Sequence, residues 1–287
     1  MKETRFRAYQ WGDPGSSFSY SVGKNITLIE ARYNETNKAN IKFEVERIGE
    51  TRIDCLHITS WDEDHCNFNE LVSLLKDFSP RRIDYPWYSP DTQCGRKSKA
   101  LIEYYLNEGK ANGSAISPDF INALEEAEIL KYNDILYNPV AELDKHNDNS
   151  VVQLFRQGRF TVLSLGDCED PEIAERIMCS TIASKEVDVM ILAHHGADNG
   201  FTTKEFIGKI NPKVAICSSN YDNEYEHPLQ EIRDILYQAG VPLYTTKTGD
   251  VIIDCPSGDR ARIYNFVSNN EVLNSSRTFT TKLTVPD

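Results

Sequence analysis

The sequence predicts an α/β protein in which sheets carry helices on their outer faces. Two patterns lead there. The first third of the chain consists of short apolar or alternating segments separated by Gly, Asn and Asp, and from residue 149 strand-like and helix-like segments alternate. A composition of 40% apolar and 26% charged residues over 287 positions is that of a globular chain long enough to bury a sizeable core.

The elements follow in order. RFRAYQ, SFSYSV, NITLIEARY, IKFEVERI and DCLHITS read as strands. A helix is expected over 67–78, because Leu71, Leu74, Leu75 and Phe78 recur at helical spacing. Residues 79–147 change character, with many Pro, Gly and Ser and several aromatics. Two helices are expected there, at 96–108 and 118–130, the second opened by Ser117 at the cap and Pro118 at the first helical position. Beyond 149, the strands VVQLF, RFTVLSL, DVMILA and KVAICSS alternate with helices at 170–184, 202–210 and 228–239. The segment PLYTTKTGDVIIDCPSGDRARIYNF supplies a last strand pair with Gly-containing turns. The Ser-, Asn- and Thr-rich end reads as a flexible tail over 269–287.

Charge and cysteine usage narrow the function classes. With 31 basic and 44 acidic side chains the chain carries −13, which argues against coating long nucleic acid through bulk charge. A local basic groove or a metal site that meets phosphate directly stays open. Seven scattered cysteines without C-x-x-C spacing read as free thiols in a reducing compartment. The N-terminus MKETRFRAYQWGD lacks the apolar stretch of a signal peptide, and no run approaches the roughly 18 apolar residues of a membrane span. A cytoplasmic protein with no membrane partner is the expectation.

Polar residues of metal-ligand type gather where four apolar strands end. CLHITS leads to Asp62, Asp64 and His65, FTVLSL to Gly166-Asp167, VMILA to His194-His195-Gly196, and VAICSS, after a short loop, to His227-Pro228. Strand ends at one edge of a sheet converge, and ligands bind there. Carboxylates and imidazoles together suit Zn, Mn or Fe. Asp167, after a Gly that permits a tight turn, is the candidate to bridge two ions. His57, inside a strand, reads as a core histidine, and His146 as a loop residue.

In these motifs the sequence resembles the metallo-β-lactamase fold superfamily, and within it the hydrolase domain of ComEC-type competence proteins. The first motif of that branch, H-x-D-x-D-H, corresponds to S-W-D-E-D-H at 60–65. The similarity continues through 149–169, DVMILAHHG at 188–196, 213–228 and YTTKTGDVII at 244–253. It implies an αββα sandwich of two mixed sheets over 1–268, with 79–147 as an inserted helical segment. Asp62, Asp64, His65, Asp167, His194 and His227 match metal-ligand positions, and His195 is expected behind them or as a proton carrier. Asn149 matches the Asn that starts the strand before the bridging Asp. Three positions in two motifs depart. Ser60 stands where the first His is expected, and Glu30-Ala31-Arg32 replaces the usual D-x-G, in which the Asp supports the site from behind.

What the resemblance implies for activity is a metal-dependent phosphodiesterase or nuclease acting on DNA through a metal-bound hydroxide, with one or two divalent ions, Zn or Mn, with Mg as a further option. Asp62, Asp167 and His195 would be the catalytic residues. Lys247 would hold a phosphate, and Arg96 and Lys97, beside the aromatics of 79–147, would line a wall for single-stranded nucleic acid. Two alternatives stand: a phosphodiesterase for small or cyclic nucleotides, and a binding module without catalysis in which Ser60 and Glu30 mark a decayed site.

Overall fold

A computed structural model describes residues 2–124 and 134–283. Two sheets lie face to face. The first has nine strands, β1 (Thr4–Ala8), β2 (Phe18–Val22), β3 (Asn25–Ile29), β4 (Cys55–His57), β5 (Arg82–Pro86), β6 (Asn112–Ile116), β13 (Val251–Cys255), β14 (Arg260–Val267) and β15 (Val272–Thr280). Their order is β15-β14-β13-β1-β2-β3-β4-β5-β6. The second has six, β7 (Ile135–Asn138), β8 (Val152–Phe155), β9 (Val162–Ser164), β10 (Val189–Ile191), β11 (Val214–Cys217) and β12 (Leu243–Thr245), in the order β12-β11-β10-β9-β8-β7. Pairing is parallel from β3 to β6 and from β9 to β12, and antiparallel elsewhere. Both sheets are therefore mixed, and each parallel block needs crossovers that put helices on its outer face.

Those helices cover both sheets. Outside the first lie α1 (Lys38–Arg47), α2 (Phe68–Phe78) and α3 (Gln93–Asn107), which bury Ile41, Val45, Leu71, Leu74 and Ile102 against its strands. The short α4 (Pro118–Ala123) follows β6. Outside the second lie α5 (Pro171–Cys179), α6 (Thr181–Glu186), α7 (Lys204–Ile210) and α8 (Gln230–Gln238), which bury Ile173, Phe206 and Ile232. The layer between the sheets is apolar, with Phe6, Phe18 and Ile29 from one and Val162, Ile191 and Ile216 from the other. The result is the expected αββα sandwich. Among the described residues, no helix is long and apolar enough to cross a membrane, and all seven cysteines are free thiols.

Four expectations from the sequence change. IKFEVERI is not a strand but most of α1. Its Ile41, Val45 and Ile48 are buried at helical spacing, while Phe43, which an alternating strand would have placed with Ile41 and Val45, is 52% exposed. Glu44 misleads the pattern because it is buried by pairing with Arg5, Arg7 and Arg47. The helix is also what a parallel β3–β4 connection requires. Segment 79–147 is not simply helical, since it contributes β5 and β6 to one sheet edge and β7 to the other. The remainder of the helix expected at 118–130 lies outside the described residues beyond Leu124. Helix 170–184 is interrupted at Ser180, whose hydroxyl caps α6 by accepting from the Ala183 amide. Residues 272–280, read as flexible tail, form β15, paired along β14.

The helix that follows the first acidic motif is anchored locally. Asn67 caps α2, its side-chain oxygen accepting from the amides of Asn69 and Glu70 at 3.0 and 3.4 Å. Asn67→Ala is expected to cost about 1 kcal/mol of stability, measurable as a lower urea midpoint at unchanged slope.

Candidate metal centre

The parallel strands deliver their C-terminal ends to one rim of the sandwich. Glu30 follows β3, the 58–66 loop follows β4, Gly166-Asp167 follows β9, His194-His195 follows β10, and the 218–228 loop follows β11. Left-handed backbone turns the chain sharply at several of these points, at Glu30 (φ 71°), Gly166 (φ 56°), His194 (φ 44°) and His195 (φ 53°). Gly166 is required twice over, because a Cβ there would also lie 2.8 Å from the Ser150 Cβ. Non-glycine residues at positive φ cost energy and concentrate at functional sites.

Asp64, His65, Asp167 and His195 each offer a donor atom, and the four atoms lie within 4.8 Å of one another. His65 and Asp167 are nearly inaccessible to solvent. His65 Nε2 sits 2.9 Å from Asp167 Oδ2, yet it makes no aligned hydrogen bond. A buried nitrogen and a carboxylate oxygen this close fit a shared cation. The other ring nitrogens settle the tautomers. His195 Nδ1 donates to the Ser218 carbonyl at 2.9 Å, which leaves Nε2 facing Asp64 Oδ2 at 3.2 Å. His65 Nδ1 lies 3.2 Å from Glu30 Oε1, so its Nε2 is turned to the cluster.

Electrostatics point the same way. Burial alone would lower the His65 pKa, but Asp167, Glu30 and Asp64 outweigh it and hold it well above the ordinary value. His195 is raised against burial by Asp64 and Asp167. Both carboxylates are held low, against burial, chiefly by the facing imidazoles. Two carboxylates thus demand positive charge from two histidines, which is the charge a divalent cation brings. The donor set fits Zn or Mn.

Glu30 reaches His65 despite its extra methylene. Its carboxylate accepts from both the amide and the hydroxyl of Thr59 as well as facing His65 Nδ1. Arg32 fills the place of the usual Gly by stacking on Trp11, 4.4 Å from the ring centre, pairing with Glu70 and donating to the Glu63 carbonyl inside the acidic loop. Ser60 is committed elsewhere, with its hydroxyl 3.1 Å from Tyr88 Oη and 3.2 Å from Asp62 Oδ2. Asp62 therefore borders the cluster without joining it. Burial, with Asp167 and Asp64, raises its pKa against the pull of His65.

The remaining candidates are placed as follows. His195, expected behind the ligands, is in the four-donor cluster, whereas His194 turns its Nδ1 to Glu169 Oε1 at 2.8 Å. His227 stacks on His195 with ring centres 6.3 Å apart and 10° between planes. Burial and the neighbouring histidines push His227 down to about 4. Lys247 is close enough to contribute to that shift. Arg96 donates to the carbonyls of Pro90 and Asp91 within its own segment, and Lys97 lies over the ring of Phe68, the first residue of α2, at 5.8 Å. Asn149 ties the 143–145 loop. His57 is a core residue edge-on to Phe155. Glu30 was signalled as a departure from its motif, and Tyr88 only as one of the aromatics of 79–147.

A cavity of about 420 Å³ opens beside Asp64 and His195 and is also lined by His194, Asn220, Tyr225 and His227. Sandwich, strand-end loops and His/Asp cluster together define a protein of the metallo-β-lactamase fold. Tm1679, a metal-dependent hydrolase of the β-lactamase superfamily, superposes with a TM-score of 0.50 at 11% identity, covering 88% of this chain and all of that one. The CmlA β-hydroxylase E377D mutant gives 0.51 at 12% identity, covering 87% and 54%. In sequence the chain resembles ComE operon protein 3 of Bacillus subtilis, at 26% identity over 208 residues, 71% of this chain and 25% of that protein. It also resembles competence protein ComA of Neisseria gonorrhoeae, at 30% over 83 residues, 27% and 12%. The chain thus spans a quarter or less of these relatives. No protein-family profile matches it.

Proposed function

We propose that the protein is a metal-dependent phosphodiesterase acting on nucleic acid, with DNA as the leading substrate. The observation that carries this reading is the convergence of Asp64, His65, Asp167 and His195 on one point. When bound, a divalent cation supplies Lewis acidity that activates water and offsets charge on a phosphoryl oxygen. Asp64, His65, Asp167 and His195 would hold it, and Glu30 and the Ser218 carbonyl keep the imidazoles in register. With Ser60 bound to Tyr88, one ion per chain is the expected content.

With His195 drawn into the cluster, proton handling falls to Asp62. It borders the cluster, and its Oδ2 accepts from Ser60 Oγ, which holds the carboxyl beside the proposed ion. Lys247, whose charge reaches His227, is the proposed phosphate partner. Similarity to a protein named for competence supports nucleic acid as the substrate. The nucleotide-sized cavity beside the cluster favours a second reading, a phosphodiesterase for small or cyclic nucleotides.

Purified protein dialysed against Zn or Mn should retain one ion per chain by elemental analysis, and should then cleave labelled single-stranded DNA. DNA left intact beside a cleaved cyclic dinucleotide would select the second reading. Less than one ion, with no turnover in added Mn, would leave a binding module.

A further inference from the structure

The loop after β11 carries a feature that the metal centre does not use. Its sequence, Asn220-Tyr221-Asp222-Asn223-Glu224-Tyr225-Glu226-His227, places two large aromatics in solvent: Tyr221 is 71% and Tyr225 63% exposed. Tyr225 is not splayed at random. Its ring lies on His227, with centres 5.6 Å apart and 25° between planes, and His227 lies in turn on His195. Three rings thus form a short column that begins in the four-donor cluster and ends at an exposed tyrosine. The loop beneath is braced, since Asn223 donates to the carbonyls of Asn220 and His227 and accepts from the His227 amide. Tyr225 lines the same cavity as Asp64 and His195. Tyr221 and Lys247 line a separate cavity of about 450 Å³.

We infer that Tyr225 is a stacking platform for an unpaired nucleobase, set so that the adjoining phosphodiester faces the metal cluster. The inference rests on the phosphodiesterase reading and gives it a substrate form. A base in a duplex already has both faces stacked and cannot lie on the ring, whereas one in a single strand can. Stacking is tolerant of base identity, because every base has a π-face. Lys247 lies toward Tyr221, where the next phosphate of a strand would pass. Asp222, Glu224 and Glu226 flank the platform and add repulsion that grows with phosphate number, so short single strands are the favoured form.

The test reads binding separately from turnover. Fluorescein-labelled phosphorothioate dT 12-mers, an abasic strand of equal length and a dT·dA duplex are titrated against the metal-loaded protein by anisotropy. The dT strand should bind about tenfold more tightly than the abasic strand and more tightly than the duplex. Tyr225→Leu should bring the dT-to-abasic ratio near unity, while Tyr225→Trp should keep it. Equal affinity of the wild type for dT and abasic strands, an unchanged ratio in Tyr225→Leu, or no measurable binding of either strand overturns the platform. Hydrolysis of bis(p-nitrophenyl) phosphate by the wild type is assayed in parallel. If it is absent while the dT preference holds, the phosphodiesterase reading fails and the platform stands.

Discussion

Asp167→Ala should abolish both metal retention and hydrolysis. Asp167 offers one oxygen to His65 Nε2 at 2.9 Å and the other toward His195 Nε2 at 3.9 Å, so it links both imidazoles of the cluster. Its removal takes away a ligand atom and half of the carboxylate charge that attracts a cation. Loss of an outer partner of a metal ligand costs about 10–100-fold in affinity or activity, and loss of the ligand itself should exceed that. Elemental analysis after dialysis and a chelator-competition titration read the first effect, and turnover of a chromogenic phosphodiester reads the second. Folding is checked independently by a urea titration. Turnover at the wild-type level in a folded Asp167→Ala protein would refute the proposed centre.

Glu30→Ala tests the layer behind. Glu30 touches no substrate in this arrangement and acts through His65, as a positioning residue. Its carboxylate faces His65 Nδ1 at 3.2 Å and accepts from the Thr59 amide at 3.0 Å. Without it, the imidazole loses the partner that fixes its tautomer and keeps Nε2 aimed at the cluster. The expected result is metal affinity about 10–100-fold weaker, seen as a shifted chelator midpoint. Glu30→Gln keeps an acceptor for Thr59 but loses the charge, and it should fall between wild type and Glu30→Ala. A merely structural role would lower stability in Glu30→Ala and leave the affinity of the folded fraction unchanged.

Much of the centre was legible because its parts are local. Asp64 and His65 share one loop, and Asp167 follows a Gly at a strand end, so chemical type and position sufficed to select them. The sequence reading put His194 among the ligands and His195 behind them, and the structure reverses the two. Which imidazole enters the cluster depends on the Ser218 carbonyl, 23 positions later, which orients one ring, and on Glu169, which faces the other. Glu30 was visible as a departure from its motif. Whether a longer side chain could still support His65 depended on the left-handed turn at Glu30 and on Thr59, which belongs to the neighbouring strand end.

Sheets covered by helices on their outer faces follow from segment order and patterning, since apolar faces require cover, whereas the αββα sandwich of two mixed sheets was what the family resemblance implied. The helix at IKFEVERI and the strand β15 were decided by tertiary structure. Three arginines from two elements bury Glu44, and β14 supplies the hydrogen-bond ladder that a polar segment could not find alone. The same division runs through the centre. Donor identity is covalent and readable residue by residue, whereas which donors share a point in space depends on contacts between strand ends more than 100 positions apart.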